Sequence, residues 1–180
     1  NNRINANLEE QAQAIFKEWF VDNEDCPIGT LGDYAAVKSG FAFKSFWWTD
    51  SGATVIKIKN IDDGKINFND CDFVAEDKIP YAKDFIAKPG DLVIAMTGAT
   101  LGKFAIITDY NKTVLINQRV GKFFLGDNPI EKLPFLYCAL KDDEVISEII
   151  NRGQGSAQAN ISGADIMAVK CVKPSDQEVE

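Results

Sequence analysis

The sequence predicts an α+β protein: a twisted, partly barrel-like β-sheet domain with one side helix, preceded by a protruding N-terminal helix of coiled-coil type. Three observations predict it. Residues 2–20 carry apolar side chains at a helical repeat. From Ile28 to Leu125 the repeat falls to two or becomes continuous, with turn residues between the runs. A helical stripe returns from Leu133 to Arg152.

In the N-terminal helix, Leu8, Ala12, Ile15 and Trp19 are spaced four, three and four apart, the seam of a coiled coil. Ile4 and Phe16 widen that stripe, and Glu9, Glu10, Gln13, Lys17 and Glu18 are expected to face water. No capping residue precedes the stripe, so the helix reads as beginning before Asn1; Asp22, Asn23, Glu24 and Pro27 end it. A helix of this length spans about 30 Å. Its end near Trp19 and Phe20 is therefore expected to pack on the domain, and its start near Ile4 and Leu8 to project beyond it.

Strands are predicted at Ile28–Leu31, Asp33–Lys38, Ala53–Lys59, Lys65–Phe68, Asp91–Met96, Lys103–Thr108 and Thr113–Phe124. Turns fall at Asp62–Gly64, Lys88–Gly90, Gly98 and Asp109–Lys112, with Gly98 expected in a conformation suited to glycine. The side helix, Leu133–Arg152, is expected to stop at Gly153. A loop, Gln154–Asn160, leads through a short turn at Ser162 to a last strand, Met167–Val172. Ser175 followed by Glu178 forms a capping box, so a second helix is expected to start there. The chain thus reads as one unit of a longer helix–domain–helix–domain protein.

Composition bounds the function. At 180 residues, 46% apolar and 26% charged, the chain can build one domain with a real core. No run approaches the ~18 apolar residues of a membrane span, and no leader pattern is present. Four cysteines lack any CxxC pair and there is no histidine, so the usual zinc ligands are missing; four free thiols in a reducing cytoplasm are expected. The net charge of −8 counts against nucleic acid, whose phosphates demand neutralisation, unless the carboxylates gather away from one basic face.

Gly98–Lys103 invites a phosphate-loop reading but is one residue short, and Phe104 stands where a magnesium-holding hydroxyl belongs. The run Phe104–Thr108 is strand-like rather than helical, so a glycine turn is the better reading. Nucleophilic catalysis wants a positioned base, and histidine is absent. The carboxylate pairs Asp62–Asp63 and Asp142–Asp143 read as solvated charge. Neither an Asn/Asp-Pro-Pro-aromatic motif nor a glycine-rich cofactor loop of an adenine methyltransferase occurs. No catalytic residue, metal ligand set or cofactor is predicted.

Binding chemistry is better represented. Phe41, Phe43, Phe46, Trp47 and Trp48 cluster in sequence with Lys38 and Lys44 among them; core packing with one exposed edge is the preferred reading over base stacking. Lys57 and Lys59 alternate on one strand face, beside Asn60. Thr97, Thr100 and Lys103 rim the glycine turn. Asn117, Gln118 and Arg119 form another cluster, and Arg152, Gln154, Ser156, Gln158 and Asn160 follow a helix end. Cations and amides of this kind serve phosphates and base edges.

Taken in order, these pieces resemble a known family. Arg3-Ile4-Asn5, Leu8-Glu9-Glu10, Ala12, Ile15-Phe16 and Trp19-Phe20 look like the end of the central helix in specificity subunits of type I restriction–modification systems. Leu31-Gly32-Asp33, Lys38-Ser39-Gly40-Phe41-Ala42-Phe43 and Ile58-Lys59-Asn60-Ile61 with Gly64 are similar to the opening of their recognition domains. Gly90-Asp91-Leu92-Val93, Gly98-Ala99, Gly102-Lys103, Asn117-Gln118 and Gly155-Ser156 with Gln158 and Asn160-Ile161-Ser162 complete the order.

The resemblance implies a spacer-helix end at residues 1–22, a target-recognition domain at 23–174 and the start of a second spacer helix at 175–180. It implies double-stranded DNA as ligand, with Lys38, Lys44, Lys57, Lys59, Asn60, Thr97, Thr100, Lys103, Asn117, Gln118, Arg119, Arg152, Gln154 and Gln158 as candidate contacts. It implies modification and restriction subunits as partners, the former methylating adenine with S-adenosylmethionine. A second copy, or a second half of the subunit, is expected along Ile4, Leu8, Ala12, Ile15 and Trp19. Family members read different sequences, so base readers are expected where the resemblance lapses, at Lys44–Gly52 and Lys65–Lys88. Two rivals stay open: an enzyme built on Gly98–Lys103, and a protein-interaction module using the helical seam.

Overall fold

A computed structural model describes residues 2–62, 64–108, 110–126, 129–155 and 158–175. Residues 176–180, where the second helix is expected, and Ser156 lie outside the described residues. The chain opens with α1 (Asn2–Phe16), which continues as a π-helical turn, Lys17–Val21. Eight short strands come next: β1 (Ile28–Thr30), β2 (Ala36–Ser39), β3 (Trp48–Thr49), β4 (Ala53–Ile56), β5 (Ile61–Asp62), β6 (Lys65–Ile66), β7 (Asp72–Val74) and β8 (Ile86–Ala87). Then come β9 (Leu92–Ala95), β10 (Phe104–Ile106), β11 (Val114–Ile116) and β12 (Val120–Phe124). Helices α2 (Pro129–Lys141), α3 (Asp143–Gly153) and α4 (Gly163–Met167) precede β13 (Lys170–Val172).

The strands divide among four sheets of linear order rather than one continuous sheet. A four-stranded antiparallel sheet runs β10-β9-β12-β2, and a five-stranded one runs β3-β7-β4-β11-β8, with β4 and β11 parallel. β1–β13 and β5–β6 form two small pairs. Alternation along the strands explains the layering. Leu92, Ile94 and Met96 pack under the helices with Leu136, Leu140 and Ile149. Val93 and Ala95, pointing the other way, meet Ile56, Val114 and Ile116 of the second sheet. Val55 and Leu115 point outward again, onto Trp47, Val74 and Ala82. Burial on both faces is why Leu92–Met96 reads as an unbroken apolar run.

Several predicted elements are shorter, each for a local reason. The run Asp33–Lys38 starts its strand only at Ala36, because Leu31–Asp33 is a 3-10 turn closed by Asp33 accepting the Thr30 N–H at 2.8 Å. The run Ala53–Lys59 ends at Ile56, where Asn60 Oδ1 accepts the Lys57 N–H at 2.8 Å and bends the chain. Thr113–Phe124 is two strands around a turn at 117–119. Leu133–Arg152 is two helices, because Asp142 caps α3 by accepting from the N–H groups of Glu144 and Val145 at 3.0 and 3.2 Å. Gly153 does not stop that helix; it is its last residue, and a Cβ there would come 2.5 Å from Leu101 Cδ1. Met167 belongs to α4, and the last strand begins at Lys170.

The N-terminal helix also differs in which face it buries. Phe16 and Phe20 are buried, with ring centroids 5.3 and 5.9 Å from Phe135 of α2. Glu9 and Gln13, expected in water, face α2 instead: Glu9 accepts from the Tyr137 hydroxyl and lies 3.1 Å from Lys141, and Gln13 donates to the Cys138 carbonyl at 3.2 Å. Trp19, expected to pack on the domain, is 61% exposed. The seam of Ile4, Leu8, Ala12, Ile15 and Trp19 is therefore exposed along its whole length.

Thr54 of β4 is fully buried, and its hydroxyl makes no hydrogen bond among the described residues. A buried hydroxyl without a partner is destabilising, so Thr54→Val should raise stability by about 1 kcal/mol. Urea denaturation reads this as a higher midpoint at unchanged slope; a lower midpoint would refute it.

Candidate nucleic-acid interface

The turn between β11 and β12 is built by Asn117. Its side-chain oxygen accepts the Arg119 N–H at 3.3 Å, and its carbonyl accepts the Val120 N–H at 2.9 Å. Two further segments are laced to this turn. The Met96 N–H donates to the Arg119 carbonyl at 2.9 Å, and the Ile161 N–H donates to the Met96 carbonyl at 2.9 Å. The Gly98 N–H reaches the Ala159 carbonyl at 2.9 Å, and Thr97 bridges Asn160 in antiparallel fashion. Gly98 makes this possible with φ +72°, the glycine conformation expected from sequence.

The result is a groove of about 310 Å³ lined by Ser39, Met96, Thr97, Gln118, Arg119, Gln158, Ala159, Asn160, Ile161 and Ser162. It offers carboxamides, hydroxyls and one guanidinium, and among the described residues no carboxylate lines it. Arg119 is exposed and makes no ion pair among the described residues. The Thr97 hydroxyl is buried without a hydrogen bond among the described residues. Ser162 is committed elsewhere: it caps α4, its hydroxyl donating to Asp165 at 2.6 Å, and that bond holds the Asp165 carboxyl below its ordinary pKa.

Of the residues that sequence reasoning singled out, Thr97, Gln118, Arg119 and Gln158 line the groove, Asn117 builds the adjoining turn, and Gln154 lines a second hollow that shares Ala159. That reasoning grouped Asn160 with the polar residues after the helix end without carrying it among the candidate contacts, and it left out Ser39 and Ser162. The other candidates lie elsewhere. Lys57 stands 3.0 Å from Asp72 and over the Trp48 ring, and Lys59 lies 3.5 and 3.3 Å from Asp70 and Asp72. Burial lowers the Lys59 pKa, but the two carboxylates outweigh it and leave the group above its ordinary value. Lys103 is 3.2 Å from Asp62. Lys38 is exposed on β2 with its ammonium over Phe124, and Lys44 lies over Phe46 and Trp47.

Two candidates have structural positions that the sequence reading did not anticipate. Asn60 is fully buried, its amide donating to the carbonyls of Asn67 and Asp70 at 3.3 and 2.9 Å, so it shapes a loop and presents nothing at the surface. Arg152 grips Glu148 at 2.6 and 3.0 Å and donates to the Asp165 and Ala168 carbonyls, fastening α3 to α4. Thr100, like Thr97, has a buried hydroxyl with no hydrogen bond among the described residues.

Gly98–Thr100 is a single 3-10 turn between antiparallel β9 and β10. No helix N-terminus comes after it to receive a phosphate. All four cysteines are thiols, and burial pushes Cys71 up to about 11 and Cys171 up to about 12. Among the described residues no helix is long and apolar enough to cross a membrane, and no group of three or more His, Cys, Asp or Glu could hold a metal ion.

No protein-family model matches the chain. It is 27% identical over 158 residues to the MjaVIII type I restriction enzyme specificity subunit of Methanocaldococcus jannaschii, covering 86% of this chain and 37% of that protein. It is 31% identical over 103 residues to the EcoAI type I restriction enzyme specificity subunit of Escherichia coli, covering 56% of this chain and 17% of that one. The chain therefore spans well under half the length of these relatives. Its fold matches the crystal structure of the type I restriction–modification S subunit from M. genitalium at a TM-score of 0.59 and 21% identity, over 98% of this chain and 45% of that one. In sequence over most of its length, and in fold over nearly all of it, the chain is similar to specificity subunits of type I restriction enzymes.

Proposed function

We propose that this chain binds double-stranded DNA sequence-specifically, as a target-recognition unit of a type I specificity subunit, and carries out no catalysis itself. The observation that supports it best is the groove around Arg119, which among the described residues has no carboxylate in its lining and carries amides and hydroxyls able both to donate and to accept. In this reading residues 1–22 are the end of a spacer helix, 23–174 the recognition domain, and 175–180 the start of a second spacer helix. The two larger sheets act as a partly barrel-like shell that holds the groove. The exposed seam of Ile4, Leu8, Ala12, Ile15 and Trp19 is of coiled-coil type and takes a second copy or the second half of the subunit. Modification and restriction subunits assemble around that helical spacer, in the cytoplasm. The glycine turn at Gly98 leads into a strand, which disfavours the enzyme alternative.

The test is salt dependence. Arg119→Ala should weaken binding to all duplexes alike, and the slope of log affinity against log salt should fall by about one unit. Lys57→Ala and Lys103→Ala, whose ammoniums already face Asp72 and Asp62, should change the slope less. An unchanged slope in the Arg119 variant would remove the groove from the interface.

A further inference from the structure

Two large rings stand out of the domain where packing would normally bury them: Phe46 is 77% exposed and Tyr81 65% exposed. They are well supported from beneath. Both contact Trp47, at centroid distances of 6.4 and 5.2 Å, and Trp47 is only 7% exposed. Trp47 in turn stacks on Phe41, 5.9 Å away with ring planes 7° apart. The backbone of Phe41 joins the groove directly: its N–H donates to the Ile116 carbonyl at 2.8 Å, and its carbonyl accepts the Gln118 N–H at 2.9 Å. A chain of packed rings therefore links the exposed pair to the turn that carries Arg119.

The charge beside the rings also fits a polyanion. Lys44 lies 5.9 and 5.6 Å from the Phe46 and Trp47 ring centroids and has no carboxylate partner among the described residues. Lys78 lies 5.8 Å from the Trp47 ring and is shared with Asp77. The two rings come from segments 35 positions apart in sequence, and each falls where the family resemblance lapses. Residues that build a common scaffold cannot distinguish one target from another. Residues in these segments can.

We propose that Phe46 and Tyr81 form a base-reading tip of the DNA interface, making apolar contact with base pairs while Lys44 and Arg119 hold the backbone on either side. This rests on the DNA reading above. Aromatic and other apolar side chains used in this way contact thymine methyl groups, wedge into base steps or stack on bases. Phosphate grip comes from the cations, so removing a ring and removing a cation should have different signatures.

The experiment is selection of duplexes from a random-sequence pool by the full chain, then affinity measurement on the selected duplex and on the unselected pool. Wild type should return a defined motif. Phe46→Ala and Tyr81→Ala should each lose preference at one contiguous stretch of that motif. Affinity for the selected duplex should fall about ten-fold, and affinity for the pool should stay within about two-fold. Arg119→Ala should weaken both together. Both rings are exposed, so melting temperatures should match wild type; should an alanine variant melt early, the leucine variant at that position is measured instead. Motifs identical to wild type in both variants would overturn the base-reading role. So would equal losses on pool and selected duplex, which would make the rings a non-specific grip. A wild type that retains no duplex would overturn the DNA reading itself, and this proposal with it.

Discussion

Asp91→Ala is expected to lower the unfolding free energy by about 3–5 kcal/mol. Lys122 sits on β12, in the interior of the four-stranded sheet, and is only 7% exposed. Its ammonium meets the Asp91 carboxylate and donates to the Ile86 carbonyl at 3.3 Å, with Phe124 beside it. Asp91 also accepts the Lys88 N–H at 2.7 Å, closing the turn that launches β9. Truncation at Asp91 leaves a cation buried without its counter-charge and a turn amide without its acceptor. Lys122→Met should be milder, about 1–2 kcal/mol, because the apolar stem is kept and Asp91 retains the turn amide. Urea denaturation of both variants checks the order. A loss below about 0.5 kcal/mol for Asp91→Ala, the range of ordinary surface changes, would mean that water reaches the pair and screens it.

That pair also shows what the sequence could not disclose. Lys122 reads as a surface cation in an apolar strand, and only the register opposite Lys38 and Val93 shows that its neighbours close over it. Local signals transferred well. The glycine at 98, the helix at the N-terminus and the unbroken apolar run of β9 all appear in the structure, because each depends on near neighbours. Long-range pairings were not legible. Thr97 meets Asn160 across 63 positions, so the groove that they share with Arg119 could only be glimpsed as separate polar clusters. Competing capping interactions explain most of the shortened elements: Asp33, Asn60 and Asp142 each bind a nearby backbone amide and turn the chain early. The heptad pattern of α1 lies on an exposed stripe and does not mark which face meets the domain. Phe16 and Phe20 take that place, with Glu9 and Gln13 beside them, because α2 offers Tyr137, Lys141 and the Cys138 carbonyl as polar partners.

Gly40→Ala is the substitution expected to damage stability and recognition together. A Cβ at Gly40 would lie 2.3 Å from the Ile116 carbonyl oxygen and 2.5 Å from that of Asn117. Both obstacles are backbone, so no side chain can swing aside. Relief requires the end of β2 to separate from the β11–β12 turn by about 1 Å, and packed interiors resist such shifts. The separation would strain three hydrogen bonds at once: Gly40 N–H to the Val120 carbonyl, Phe41 N–H to the Ile116 carbonyl, and Gln118 N–H to the Phe41 carbonyl, each at 2.8 to 2.9 Å. A loss of about 3 kcal/mol or more is expected. Gly155 supplies the contrast, because a Cβ there meets nothing within 4 Å and its φ is not positive, so Gly155→Ala should be close to neutral. Gly90→Ala is intermediate: there is open space around it, but φ is +89°, and about 1 kcal/mol of backbone strain is expected. Under conditions where the Gly40 variant is still folded, its affinity for duplex should fall at least about ten-fold, because the displaced turn carries Gln118 and Arg119. The Gly90 variant, outside the groove lining, should bind as wild type at equal folded fraction. If Gly40→Ala matched Gly155→Ala in stability, the close crossing of β2 and the β11–β12 turn would be wrong. If it lost stability but bound duplex normally, the turn would not be what positions Arg119 for the phosphate backbone.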